Sequence, residues 1–206
     1  VTTPAAAAVA RPDGQALARR AAAAVTARLG GRAADGRLPT AACLRTVGAT
    51  FVTLESGGLL LGCIGTLEPA RPVYLDAMRN AVRAAADPRL PPVTPVQWPG
   101  VDVTVSVLSA MEPVPATNLR ELLGLLRPGV DGLILADGHR RATFLPSVWH
   151  KVSGPEHFVR ALLRKGGWSR SPAADGWPSG LTASRYHTTE FRDAAPRPPV
   201  ASVEAG

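Results

Sequence analysis

The period of the apolar positions changes several times between residues 13 and 193, and each change marks an element. Leu17, Ala21, Val25 and Leu29 recur every four positions behind Asp13, and Gly30-Gly31 closes the run. That spacing predicts a helix over 14–29 with Asp13 as its cap. ATFVTL (49–54) and LLLGCI (59–64) flank Glu55-Ser56-Gly57-Gly58, which predicts two strands joined by a tight turn. The unbroken Leu59-Leu60-Leu61 predicts that the second strand is covered on both faces. Leu75, Met78, Val82 and Ala85 mark the buried stripe of a helix over 72–86, opened by Pro72 and stopped at Asp87-Pro88. VDVTVSVLS (101–109) alternates valine with polar residues, as a strand with one wet face does.

The second half repeats these signals. Asn118 and Glu121 have the spacing of a capping box before LLGLL, so a short helix is expected over 119–126. GLIL (132–135) and RATFL (141–145) surround Asp137-Gly138 and predict a second hairpin. Ser153 and Glu156 predict the start of a helix over 155–165 that turns Phe158, Ala161 and Leu162 inward and ends at Gly166-Gly167. LTASRYHTTEF (181–191) reads as one edge strand. Interspersed helices and hairpins predict an α+β fold, an antiparallel sheet with flanking helices. Residues 13–193 form one folding unit in this reading. The segments 1–12 and 194–206, rich in alanine and proline, are expected to be flexible tails.

Composition narrows the function classes. At 46% apolar residues the chain buries a core without needing disulfides. Two cysteines, Cys43 and Cys63, make no disulfide framework, and four scattered histidines without a CxxC pair argue against a structural zinc site. The net charge of +7 comes almost wholly from arginine, Lys151 and Lys165 being the two lysines. The arginines are spread along the chain rather than gathered in a stripe, which argues against a dedicated nucleic-acid role. Neither GxxxxGK[ST] nor a strand-linked GxGxxG is present, so no nucleotide fold and no cofactor is signalled. VTTPAAAAVARPDG has no basic start and its apolar run stops at Arg11, unlike a secretory signal. No run approaches the ~20 apolar residues of a membrane span, and a cytoplasmic location with reduced cysteines is expected.

The candidate chemistry centres on GCIG. Cys63 lies between Gly62 and Ile64-Gly65. Two glycines would leave backbone N–H groups open to an anion, and the helix expected to begin near Pro72 starts close enough to favour a thiolate. The competing reading is a small buried cysteine, with the glycines there for tight packing. Asp87 and Arg89 bracket Pro88 and are candidate ligand-binding residues that hold an anion or orient Cys63; the alternative is a local ion pair at a helix stop. Glu190 is polar among apolar neighbours and is a candidate ligand-binding residue, or else a solvent-facing residue of its strand. Spacing singles out none of His139, His150, His157 and His187 as a base for Cys63, and Cys43 reads as structural.

LLLGCIGTLEP resembles the signature of the AmmeMemoRadiSam system protein A family, the domain of the AMME-syndrome chromosomal-region protein, whose hallmark is Leu-Arg-Gly-Cys-Ile-Gly. The matching positions are Leu60, Leu61, Gly62, Cys63, Ile64 and Gly65. FVTL (51–54), DPRLPPV (87–93), VTVSVLSAMEP (103–113), GLILADGHRRATFLPSVW (132–149), HFVRALLRKGGW (157–168) and RYHTTEF (185–191) follow in the family's order. The resemblance thus runs over about 40–191. The signature arginine is Leu61 here, which removes a fixed fork of donors; Arg89 and Arg45 are the candidates to replace it. The resemblance implies two unequal subdomains with the signature beside a cleft, and association with a Memo-like protein and a radical SAM enzyme. It implies a ligand or substrate site at Gly62, Cys63, Ile64 and Gly65, with Cys63 as the reactive or contacting group. It brings no settled reaction, and an adaptor without catalysis is the second expectation.

Overall fold

The structure, a computed structural model, describes residues 9–168 and 177–200. Its elements in chain order are α1 (Arg11–Leu29), α2 (Ala42–Arg45), β1 (Val47–Gly48), β2 (Thr50–Ser56), β3 (Leu59–Gly65), β4 (Arg71–Pro72), α3 (Val73–Ala84), β5 (Asp102–Leu108), β6 (Glu112–Val114), α4 (Leu119–Leu125), β7 (Gly132–Ala136), β8 (Arg141–Phe144), α5 (Pro155–Lys165), β9 (Thr182–Tyr186) and β10 (Thr188–Asp193). The class is α+β, built on antiparallel pairs. There are two unequal compact units. The larger comprises 9–108 and 189–200 of the described residues, and the smaller comprises 109–188.

In the larger unit the strands run β10-β5-β2-β3, with the short β1-β4 ladder separate. Val52 and Leu54 of β2 lie opposite Ile64 and Gly62 of β3 and opposite Val105 and Val103 of β5. These positions share one face, and they pack with α1 and α3 into a single core. Alanines 18, 21, 22 and 24 of α1 are buried. Trp98 is fully buried and its indole N–H donates to Thr26 Oγ1 at 2.8 Å. The alternate positions Phe51, Thr53 and Glu55, Cys63 and Gly65, and Asp102, Thr104 and Ser106 share the opposite face.

In the smaller unit the order is β6-β9-β7-β8. Its core stacks Trp149 on Phe158 with ring centroids 3.8 Å apart, and Trp149 donates to the Asp131 carbonyl. The Asp131 carboxylate is fully buried and takes both Nε and Nη2 of Arg127.

Several expected details change. β3 is the sheet's edge strand, and Leu59 and Leu60 are 68% and 39% exposed rather than covered on both faces. The single strand expected over 181–191 is two strands in two sheets, β9 inside one and β10 at the rim of the other, parting at His187. Of the expected stripe of α3, Met78 and Ala85 are buried in the core and Val82 packs against it, while Leu75 is 40% exposed; the same helix also buries the polar Asp76 and Asn80. An apolar stripe does not reveal Asp76 and Asn80, because both are polar. α1 begins at Arg11, and Asp13 lies in its first turn rather than at the cap. Gly154, not Ser153, caps α5, and Ser153 Oγ instead meets His157 Nδ1 at 3.1 Å. Parts of the expected tails, 1–8 and 201–206, lie outside the described residues. Within 194–200, Arg197 stacks over Trp98 at 4.6 Å and donates to the Val101 carbonyl.

Candidate functional site

Cys63 sits in the middle of β3, directly opposite Thr53. β3 has a partner strand on one side only, so its other edge carries unpaired backbone groups. At Cys63 those groups are taken by side chains. Asp87 Oδ2 accepts the Cys63 N–H at 3.1 Å, and Arg89 Nη2 donates to the Cys63 carbonyl at 2.9 Å. Arg89 is itself held to Asp87, Nε to Oδ1 at 2.9 Å and Nη2 to Oδ2 at 2.6 Å. The Asp87 side chain is fully buried, whereas that of Arg89 is 65% exposed. The Arg89 guanidinium holds the Asp87 carboxyl well below the usual carboxylate range, helped by the Cys63 and Arg89 N–H groups and opposed by burial. Asp87 in turn raises Arg89.

Because both backbone groups of Cys63 point outward, Cys63 and Thr53 form a non-hydrogen-bonded pair, the kind that brings side chains closest. Thr53 Oγ1 donates to Cys63 Sγ at 3.5 Å. Thr53 also lies opposite Thr104, so Cys63, Thr53 and Thr104 form one row across three strands, each partly exposed. Among the described residues no histidine, lysine or carboxylate is hydrogen-bonded to the Cys63 sulfur. All four histidines belong to residues 109–188, the other unit. A threonine hydroxyl orients a thiol but is no general base. The arrangement therefore suits contact and binding better than base-activated attack.

The two glycines have packing reasons. A Cβ on Gly62 would lie 2.0 Å from the Ala84 carbonyl oxygen, where α3 ends against β3. A Cβ on Gly65 would lie 2.2 Å from the Phe51 ring, which covers that glycine across the strand pair. Ile64 turns to the helices and packs on the core. Leu61, at the position of the signature arginine, also packs on that core. Arg89 is the arginine at the Cys63 peptide; no contact of Arg45 with Cys63 is among those of the described residues. Glu190, in β10 at the opposite rim of the sheet, accepts from Ser106 Oγ at 3.2 Å. Three strand spacings separate it from β3, roughly 14 Å.

Sequence reasoning missed a second polar cluster. Asp76, fully buried in the first turn of α3, accepts Thr50 N–H and Oγ1, Thr66 Oγ1 and Arg71 Nη1 at 2.7–2.9 Å. Asn80, one turn on, donates to the Thr50 carbonyl at 3.0 Å. The cluster fixes both strand ends beside Gly65. Its sequence signal is two short polar residues at i, i+4 on one helix, a face that polarity alone assigns to solvent. Among the described residues no group of three His, Cys, Asp or Glu gathers to hold a metal. No described helix is long and apolar enough to cross a membrane.

Cys43, the other cysteine, donates to Asp13 Oδ2 at 3.6 Å. Burial, then the Asp13 charge, pushes its thiol up.

A protein of Methanothermobacter thermautotrophicus is 47% identical over 100 residues, covering 48% of this chain and 52% of that one, so the match spans about half of that relative. A protein of Thermofilum pendens is 33% identical over 171 residues, covering 75% of this chain and 76% of its own. The crystal structure of an uncharacterized protein from Pyrococcus horikoshii superposes with a TM-score of 0.79 at 27% identity, over 91% of this chain and 95% of that one. The AMMECR1 family profile matches residues 16–191, and the chain belongs to that family.

Proposed function

We propose that the polar sheet face carrying Cys63 is a binding site for a small molecule or modified substrate, with Cys63 and Thr53 as contact groups. The observation that carries this reading is the fixed, partly exposed thiol in a row of hydroxyls, with its peptide held on both sides. An anchored polar row gives a ligand preset hydrogen-bonding partners, which lowers the ordering cost of binding. Following the family resemblance, the protein acts beside a Memo-like protein and a radical SAM enzyme in the cytoplasm. The arginines are spread along the chain rather than gathered in a stripe, which favours this reading over nucleic-acid binding.

The test is protection of Cys63 in the Cys43→Ser protein. Iodoacetamide labelling would be followed with and without the small-molecule fraction of a cell extract. Slower labelling of Cys63, abolished by Thr53→Val, is expected. Unchanged labelling with every fraction overturns the site.

One observation favours a second reading, a non-catalytic interaction module. Leu59 and Leu60 are exposed on the open edge strand that leads into the signature. Apolar side chains on a free edge suit a partner protein. Leu59→Lys would then weaken capture of the Memo-like partner while leaving Cys63 protection intact.

A further inference from the structure

We propose that Asp87 and Arg89 are positioning residues for Cys63: together they stand in for a missing neighbouring strand and fix the direction in which its thiol is presented. The inference rests on the reading of Cys63 as a contact group.

The geometry is specific to this residue. An edge residue normally gives its outward N–H and C=O to water, and its peptide plane is then free to tilt. Here one carboxylate oxygen takes the N–H and one guanidinium nitrogen takes the carbonyl. The two side chains are joined to each other by two further hydrogen bonds, so neither moves alone. The Arg89 backbone N–H also donates to Asp87 Oδ1 at 3.1 Å, which ties the clamp to the turn after α3. On the other side of β3, Thr53 and Gly62 complete the constraint, one at the sulfur and one against Ala84. A bidentate pair of this kind holds a plane, which a lysine in place of Arg89 would do only in part.

A purely local ion pair would leave the thiol unchanged when broken; a positioning pair would not. The test uses full-length protein with Cys43→Ser, and with Arg89→Gln or Arg89→Lys added. Hydrogen exchange of the Cys63 amide and of the core amides of Val52 and Val105 is read by NMR, beside the rate of iodoacetamide labelling at Cys63. Arg89→Gln is expected to speed exchange at Cys63 at least tenfold while the core amides keep their rates. It is also expected to change the labelling rate several-fold, with Arg89→Lys recovering part of both effects. Equal exchange and labelling in all three proteins overturns the proposal. So does faster exchange throughout the core, which would make the pair a general stabiliser. Faster exchange at Cys63 with unchanged labelling overturns it as well. If Arg89→Gln does not fold, Arg89→Lys alone is read against the same criteria. Failure of the underlying reading is separately visible: in that case Cys63 of the folded Cys43→Ser protein does not label at all.

Discussion

Gly62 and Gly65 stand three positions apart in one signature, yet their environments differ. Gly62 faces a backbone carbonyl and Gly65 faces an aromatic ring. A ring can swing aside, whereas the end of α3 moves only with the helix. Gly62→Ala is therefore expected to cost about 2–3 kcal/mol, toward the upper end of overpacking, and Gly65→Ala about half as much. Urea unfolding of the two variants checks the order. The two cysteines differ as well. With its thiol pushed up by burial and Asp13, Cys43 is less ionised near neutral pH than a free thiol. Asp13→Asn removes the charge contribution and should speed iodoacetamide labelling of Cys43 at pH 8; no change would mean that burial alone sets its reactivity. Asp87 has the opposite sign. Its folded pKa lies below the unfolded value of about 4, so its contribution to stability is complete above that pH and fades as pH falls through the folded value. Denaturant midpoints measured from pH 5 down to pH 2 should fall less steeply in Asp87→Asn than in the parent.

At the scale of elements, β3 and α3 account for most of the site. β3 is an edge strand whose exposed leucines precede a clamped cysteine, and α3 supplies Asp76 and Asn80 to the strand ends. Asp76→Ala would leave the Thr50 N–H, two hydroxyls and Arg71 without their shared acceptor. The expected loss is about 3–5 kcal/mol, the range for breaking a buried charged network. A loss under 1 kcal/mol by urea unfolding would contradict that role. These two elements also show what the sequence made legible. The hairpin of β2 and β3, the turn at Gly57-Gly58 and the helix over 155–165 follow from period and turn chemistry, and the structure has them. The burial of Asp76 and Asn80 on α3 did not follow, because hydropathy assigns a carboxylate and an amide to solvent. The division of 181–191 into two strands was equally hidden: the alternation continues through His187 while the chain passes from one sheet to another. Cys63, Asp87 and Arg89 were each visible as candidates. Their meeting was not, since Cys63 and Asp87 are 24 positions apart and meet only when α3 folds back on β3.

For the whole molecule, the formal charge of +7 already sets every carboxylate against a basic residue, so it is the excess that ion pairing leaves over. Some arginines are held by buried carboxylates, as in the pairs of Arg71 with Asp76 and Arg127 with Asp131, and the excess is spread along the chain rather than gathered in a stripe. Any binding to duplex DNA should be non-specific and fall by orders of magnitude between 50 and ~200 mM salt. Binding that persists at high salt with a sequence preference would contradict this. The AMMECR1 family membership covers most of the chain, and its two-unit α+β fold recurs in the Pyrococcus horikoshii structure. The proposed binding site turns on one thiol. Its most direct test is the rate at which iodoacetamide labels Cys63 in folded Cys43→Ser protein, compared with the same protein in urea. Labelling in the native fold within about tenfold of the unfolded rate is the predicted result. Labelling that appears only after denaturation would make Cys63 a packing residue and contradict the account.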